Sequence, residues 1–231
     1  VYDNGAFNRV AETYNLGVST INAMYEDDND QLWLASSSGI YYLTSDGVKM
    51  VDDEGISGYN IGNISGYDGT IYATANNDVL IRVDENGEIT VTSKSSYGID
   101  DINSLYIDEN GTRYYGSAGY SILTINSKGK VGVISTGSLH GINKIYNDGE
   151  KIWILADDGV GYITSGNKIV NVESLRFNES MSDMIKEEIG SVGATGMQSH
   201  FFENTVAEIM NAMGGFSELS FRRCLASSRM L

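Results

Sequence analysis

The chain has 231 residues, with 31 Asp and Glu against 15 Lys and Arg, a net charge of −16, one cysteine and no proline. Phosphate backbones and anionic lipid are recognised by clusters of Lys and Arg; the sequence holds none, which argues against nucleic acid and acidic membrane surfaces as partners. The lone Cys224 excludes an intrachain disulfide framework, and no apolar run approaches the ~20 residues a membrane-spanning helix needs.

The charge is uneven, with 25 acidic and 11 basic residues in 1–180 against 6 and 4 in 181–231. The 27 glycines, with many Asn, Asp and Ser, suit a fold that turns every eight to twelve residues or so. The 15 tyrosines suit half-buried pleated surfaces, because each keeps a hydroxyl for a loop or for water.

Taken from the N-terminus, residues 5–10 read as the outer strand of a β unit and residues 15–20 as a linker. The chain thus opens inside a unit and is read as part of a longer protein. A unit then starts at Ile21 and recurs at Ile61, Ile102 and Ile142, at intervals of 40, 41 and 40 residues. In the first, residues 21–25 alternate into the acidic stretch 26–30, residues 32–35 form a second strand, 40–43 a third and 48–51 a fourth. Asp46-Gly47, Asp68-Gly69, Asn86-Gly87, Asn110-Gly111 and Asp148-Gly149 are hairpin turns, since these residues tolerate positive φ. Trp33, Tyr72, Tyr114 and Trp153 occupy one position in the four units and are expected in a buried layer between them, as structural aromatics.

A period of about 40 with four short strands per unit is the sequence form of a β-propeller blade. The expected fold is therefore all-β, a propeller of four-stranded antiparallel blades at 21–60, 61–101, 102–141 and 142–180. Residues 1–20 carry the outer strand and linker of a preceding blade. Residues 181–231 hold an aborted fifth blade and an irregular tail. There Met181 to Ile185 reads as an inner strand, but Gly193 falls where an aromatic should stand. Thr205 to Glu208 is a capping box, and Phe202, Val206, Ile209, Met210 and Met213 share a helical face. The expected propeller is incomplete, unless residues 1–10 close a ring by joining the strand at 181–185.

The pattern in INAMYEDDNDQLWLASSSGIYYL, and less fully in INSLYIDENGTRYYGSAGYSIL, resembles the two-component regulator propeller repeat. Tyr replaces Trp in the second and third units, and Asp30 replaces a turn glycine in the first. The resemblance covers roughly residues 1–190 and fixes strands and turns, not binding residues. It implies a bacterial extracytoplasmic sensor, periplasmic or at the cell surface, anchored in the membrane and followed by a histidine kinase or diguanylate cyclase module. The expectation is a non-catalytic sensing domain that needs no cofactor or metal. Its expected partners are a small polar or saccharide ligand, the downstream membrane-linked signalling domain and, in the full-length protein, a second copy.

Candidate ligand-binding residues lie in the loops that reach a propeller's channel mouth. These are Tyr59, Asn76, Tyr97, Asp101, His140, Asp157 and Asp158, types that suit a hydroxyl-rich ligand. The acidic turns at Asp27, Asp84 and Asp108 lack the full calcium-loop spacing and read as side chains capping turns. No nucleophile motif, metal-binding His pair or phosphate loop is present. Two alternatives stay open. Residues 76–89 also resemble blades of streptogramin lyases, propeller enzymes that use a histidine base and a metal, which would give His140 and the Asp157-Asp158 pair a catalytic part in a secreted lyase or hydrolase. The other is a scaffold that binds protein.

Overall fold

The computed structural model describes residues 2–3, 6–7, 20–44, 47–51, 55–176, 183–186 and 192–195. The expected helix near 204–213 and the inner-strand residues Met181 and Ser182 lie outside these. The described residues are almost entirely strand, with one short 3-10 turn at Lys94–Ser96.

Two short strands, β1 (Tyr2–Asp3) and β2 (Ala6–Phe7), pair as a hairpin. Four antiparallel four-stranded sheets follow, each in simple meander order. Blade 1 comprises β3 (Ile21–Glu26), β4 (Leu32–Ser36), β5 (Gly39–Thr44) and β6 (Gly47–Met50). Blade 2 comprises β7 (Ile61–Tyr67), β8 (Thr70–Ala75), β9 (Val79–Val83) and β10 (Ile89–Ser93). Blade 3 comprises β11 (Ile102–Ile107), β12 (Arg113–Ser117), β13 (Ser121–Ile125) and β14 (Val131–Ser135). Blade 4 comprises β15 (Ile142–Asn147), β16 (Ile152–Ala156), β17 (Gly159–Ile163) and β18 (Ile169–Arg176). A last pair, β19 (Asp183–Lys186) and β20 (Val192–Thr195), forms its own two-stranded sheet, with Ile185 opposite Gly193. The β1–β2 and β19–β20 pairs do not share a sheet.

Successive blades pack face to face through their inner strands, β3 on β7, β7 on β11 and β11 on β15, and β19 approaches β15. This is propeller packing, in which each blade buries its apolar faces against its neighbours because it cannot do so alone. Ala35 and Ile40 of blade 1 meet Ile61, Ile64, Ala73 and Ile81 of blade 2. Leu80 of blade 2 meets Ile102, Tyr115 and Leu123 of blade 3. Tyr114 and Ile122 of blade 3 meet Ile142, Ile145 and Ile154 of blade 4.

The aromatic layer needs correcting. Tyr114 is buried, but Trp33, Tyr72 and Trp153 are only half-buried. They are equivalent in register, facing Tyr25, Ser65, Tyr106 and Tyr146 across the first strand pair. However, they sit toward the hairpin-turn end of the second strand, where a ring edge reaches water. Blade-to-blade burial falls on the residues after them: Leu34 and Ala35, Ala73, Tyr115, and Ile154 and Leu155. Tyr114 belongs to the core between blades 3 and 4, and Trp33 packs against the core between blades 1 and 2; the rings also brace their own blades. Trp33 lies 5.3 Å from Tyr42, and Trp153 lies 5.5 Å from Tyr162. The Arg113 guanidinium sits 4.5 Å over Tyr72 of the preceding blade, a cation–π contact.

One irregularity repeats in every blade. The inner strand bulges at its second residue, Asn22, Gly62, Asn103 or Asn143, where the pairing register shifts. A bulge bends a strand and re-aims side chains. Here it frees polar groups to bond the next blade: Asn22 Nδ2 donates to the Ile61 carbonyl at 2.7 Å, Asn63 Nδ2 to Asn103 O at 3.2 Å, and Ser104 Oγ to Ile142 O at 3.0 Å.

Candidate functional site at one loop end

Two sets of loops meet at one end of the blades. These are the turns between second and third strands, and the connections that lead into each inner strand. A backbone bond stitches them in all four blades: Ser37 N to Thr20 O, Asn76 N to Asn60 O, Ala118 N to Asp101 O, and Asp157 N to His140 O. Buried Ser36 and Ser117 brace the turns of blades 1 and 3 by donating to Gly39 O and Ser121 O. This rigid frame holds the candidate polar residues.

The sequence-nominated residues divide. Tyr59 is half-buried and packs against the core between blades 1 and 2, and Tyr97 packs likewise between blades 2 and 3. Asn76 holds a left-handed backbone (φ 52°), and its Oδ1 accepts the Asn60 N–H at 3.1 Å. Asp101 pairs with Lys94, which also approaches Asp78 at 4.0 Å. The hydrogen bond from Lys94 to Asp101 is the main cause that raises the lysine pKa.

His140, Asp157 and Asp158 come together where blade 3 meets blade 4. His140 N–H donates to Asp158 Oδ1 at 2.9 Å, and His140 Nδ1 lies 3.6 Å from Asp157 Oδ2. Asp157 Oδ1 accepts from Asn143 Nδ2 at 2.7 Å, so the bulge residue of blade 4 orients this carboxylate. His140 remains 47% exposed at its side chain and Asp157 40%, which leaves both within reach of solvent. Gly141 has φ +65°, and a Cβ there would strike the Asp157 carboxylate; one at Gly119 would strike that of Asp100. Two glycines therefore let two carboxylates close over the backbone.

Tyr120 completes the cluster. It is 55% exposed, and its ring lies 4.9 Å from that of His140 in an edge-on arrangement. The repeat reading passed over it, although a signal was there: Tyr120 stands in the three-residue turn position that Asp78 fills in blade 2. An exposed aromatic in a turn otherwise built from Ser, Asn and Asp is unusual. Asn143 was missed for a different reason, since its role depends on a bulge that alternation alone does not disclose.

The acidic turns lie in the hairpins between first and second or third and fourth strands. Asp27, Asp84 and Asp108 each accept two backbone N–H bonds through Oδ1 within their own turn, at 2.8–3.0 Å. Asp27 Oδ2 also accepts from Trp33 Nε1 at 2.9 Å, and Asp108 Oδ2 from the Tyr114 hydroxyl at 3.3 Å. Turn chemistry accounts for these carboxylates. Among the described residues no three His, Cys, Asp or Glu are grouped to hold a metal.

No protein-family model matches the chain. Solved propellers are similar in fold. Virginiamycin B lyase from Staphylococcus aureus superposes with a TM-score of 0.60 at 14% identity, over 74% of this chain and 61% of that one. The extracellular domain of BT4673 from B. thetaiotaomicron, named as a one-component system, gives 0.56 at 19% identity, over 73% of this chain and 25% of that one. The gluconolactonase XC5397 of Xanthomonas campestris gives 0.57 at 13% identity, over 76% and 69%. Among curated proteins, "Probable M18 family aminopeptidase 1" of Clostridium acetobutylicum is 63% identical over 46 residues, 20% of this chain and a tenth of that protein. Enzymes and the extracellular domain of a one-component system thus share this architecture, and the comparisons establish a β-propeller fold.

Proposed function

We propose that the chain is a ligand-sensing propeller segment of an extracytoplasmic bacterial receptor, binding a polar, hydroxyl-rich ligand at the blade 3–blade 4 junction. The repeat resemblance and the fold likeness to the BT4673 extracellular domain support the receptor setting. The observation that carries the binding reading is the exposed Tyr120–His140 ring pair beside Asp157, Asp158 and Asn143. An aromatic face with carboxylate acceptors and an amide donor matches the apolar faces and hydroxyl edges of a sugar. Calorimetric titration with neutral oligosaccharides of glucose, galactose and mannose tests it. At least one should bind, and Tyr120→Ala should weaken it about tenfold, the loss expected for an aromatic contact. Binding that Tyr120→Ala leaves unchanged would reject the site.

A second reading has one specific support. His140 Nδ1 faces Asp157 Oδ2, the geometry of a base oriented by a carboxylate, and virginiamycin B lyase shares the fold. Opening of a streptogramin B lactone by the chain, abolished in His140→Ala, would favour the lyase.

The aminopeptidase likeness we assign to residues 186–231. That stretch is 46 residues long, as is the match, and it lacks the repeat that fills residues 21–176. A tenth of an aminopeptidase supplies no reason to propose its activity here. A chain ending at Ile185 should keep the unfolding transition of the blades; its failure to fold would contradict this assignment.

A further inference from the structure

Two of the acidic turns carry the same four residues. Asp84-Glu85-Asn86-Gly87 lies between β9 and β10, and Asp108-Glu109-Asn110-Gly111 between β11 and β12. Their local structure is also the same. In each, the aspartate Oδ1 accepts the asparagine N–H, at 3.0 and 2.9 Å. The aspartate carbonyl accepts the glycine N–H, at 2.9 and 3.0 Å, and the glycine stands at φ +81° and +75°. Neighbouring residues and backbone therefore match, and the two asparagines differ only in what packs on their turns. A Cβ placed on Gly87 would meet nothing within 4 Å, and Gly87 is exposed. One placed on Gly111 would lie 2.5 Å from Cε1 and 2.6 Å from Cδ1 of Tyr67 in blade 2, and Gly111 is buried. The blade 3 turn is tied further by the Tyr114 hydroxyl, which donates to Asp108 Oδ2 at 3.3 Å.

We propose that Asn86 is a site of spontaneous covalent modification, deamidation to aspartate and isoaspartate, and that Tyr67 protects Asn110 from the same reaction. Water is the only co-reactant. The main-chain nitrogen of Gly87 gives its proton to hydroxide and attacks Cγ of Asn86. The new C–N bond closes a succinimide ring as the Cγ–Nδ2 bond breaks, and Nδ2 leaves as ammonia after taking a proton from water. A second water then opens the ring at either carbonyl, leaving aspartate or isoaspartate, with no change of oxidation state. Glycine after the asparagine favours the attack, because no Cβ obstructs it and the backbone turns freely. The Gly87 N–H must first leave the Asp84 carbonyl, and at an exposed hairpin tip that opening is local. At Gly111 the same rotation drives the backbone into the Tyr67 ring, so the reaction waits for blades 2 and 3 to part. The products differ in effect. Aspartate adds a charge to an already acidic turn, whereas isoaspartate lengthens the main chain by one carbon and disturbs the closing pair of Ile89 with Val83.

The matched turns supply their own control. The full chain is held in mildly alkaline buffer, once folded and once in concentrated urea, and peptide mass spectrometry follows loss of each asparagine and the aspartate and isoaspartate that replace it. In the folded chain Asn86 should react at least about tenfold faster than Asn110, the difference between local and larger-scale opening. In urea the two rates should come within about twofold, because unfolding removes the Tyr67 contact. Equal rates in the folded chain would overturn the proposal, as would an Asn86 that reacts only in urea. The same ratio in both conditions would place the difference in the sequence rather than in Tyr67, and would overturn it too. Tyr67→Ala gives an independent reading at a temperature well below its own unfolding transition. Asn110 should then speed up toward the rate of Asn86, while Asn86 keeps its rate. An Asn110 that stays slow in this variant would show that Tyr67 is not its protection.

Discussion

Asp27 does two jobs with one side chain, capping its turn through Oδ1 and holding the Trp33 indole through Oδ2. Burial works to raise its pKa, but the hydrogen bonds from Trp33, Asn29 and Gln31 outweigh it and hold the carboxyl below the ordinary aspartate value. A carboxyl lowered by folding adds stability above its unfolded pKa and loses it as pH falls through its own folded value. Trp33 emission should therefore shift on acidification below about pH 4, the ordinary aspartate range, and Asp27→Asn should remove that step. Trp153 should not share it, since its Nε1 is buried with no hydrogen-bond partner among the described residues, in a blade whose turn is one residue shorter. Tyr114 works in the opposite direction. Burial, with the Asp108 charge beside it, pushes its hydroxyl up to about 12. A neutral group held neutral by the fold contributes below its unfolded pKa, about 10, and loses that contribution as pH rises through about 12. Denaturant unfolding should show stability falling across that window, and Tyr114→Phe should lessen the fall, the rest coming from Tyr25, Tyr106 and Tyr115, which burial also raises. Asp30 makes a further point, because it stands at φ 59° where the other repeats use glycine. Asp30→Gly should raise stability, by up to about 1 kcal/mol, by relieving that left-handed strain.

At the scale of the element, the blades were legible because alternation, hairpin dipeptides and period all pointed to the same strands. The glycines of the Asp-Gly and Asn-Gly turns stand at positive φ, 130° at Gly47, 72° at Gly69, 81° at Gly87, 75° at Gly111 and 93° at Gly149. The bulges were not legible, because a one-residue register shift leaves the apolar pattern almost intact. Their consequence, a polar bond onto each next blade, follows only once the sheets are stacked. Close packing was hidden for the same reason. A Cβ at Gly66 would lie 2.5 Å from the Tyr25 ring of the preceding blade, and one at Gly111 would lie 2.5 Å from Tyr67. Gly66→Ala should cost about 1–3 kcal/mol by overpacking that junction. The loss should shrink in a Tyr25→Ala background, as a double-mutant cycle in urea would show. Additive losses would mean that the glycine matters for its own backbone.

For the whole molecule, the sequence was enough for the architecture and insufficient for the site. Repetition advertises what every blade shares, and function lies in what one junction does differently. The loop residues His140, Asp157 and Asp158 meet, whereas Tyr59 and Tyr97, which stand in loops of the same kind, pack against the core. Tyr120 was visible only as a break in turn composition. The expectation of a buried aromatic layer holds at Tyr114 and only in part at Trp33, Tyr72 and Trp153, which are half-buried at the equivalent position. Amide NMR on the isotope-labelled chain, titrated with the oligosaccharides named above, tests the central claim most directly. The account predicts shifts clustered at Gly119, Tyr120, His140, Gly141 and Asp158. Shifts confined to the acidic hairpin turns around Asp27, Asp84 and Asp108, or none with any of these sugars, would contradict it.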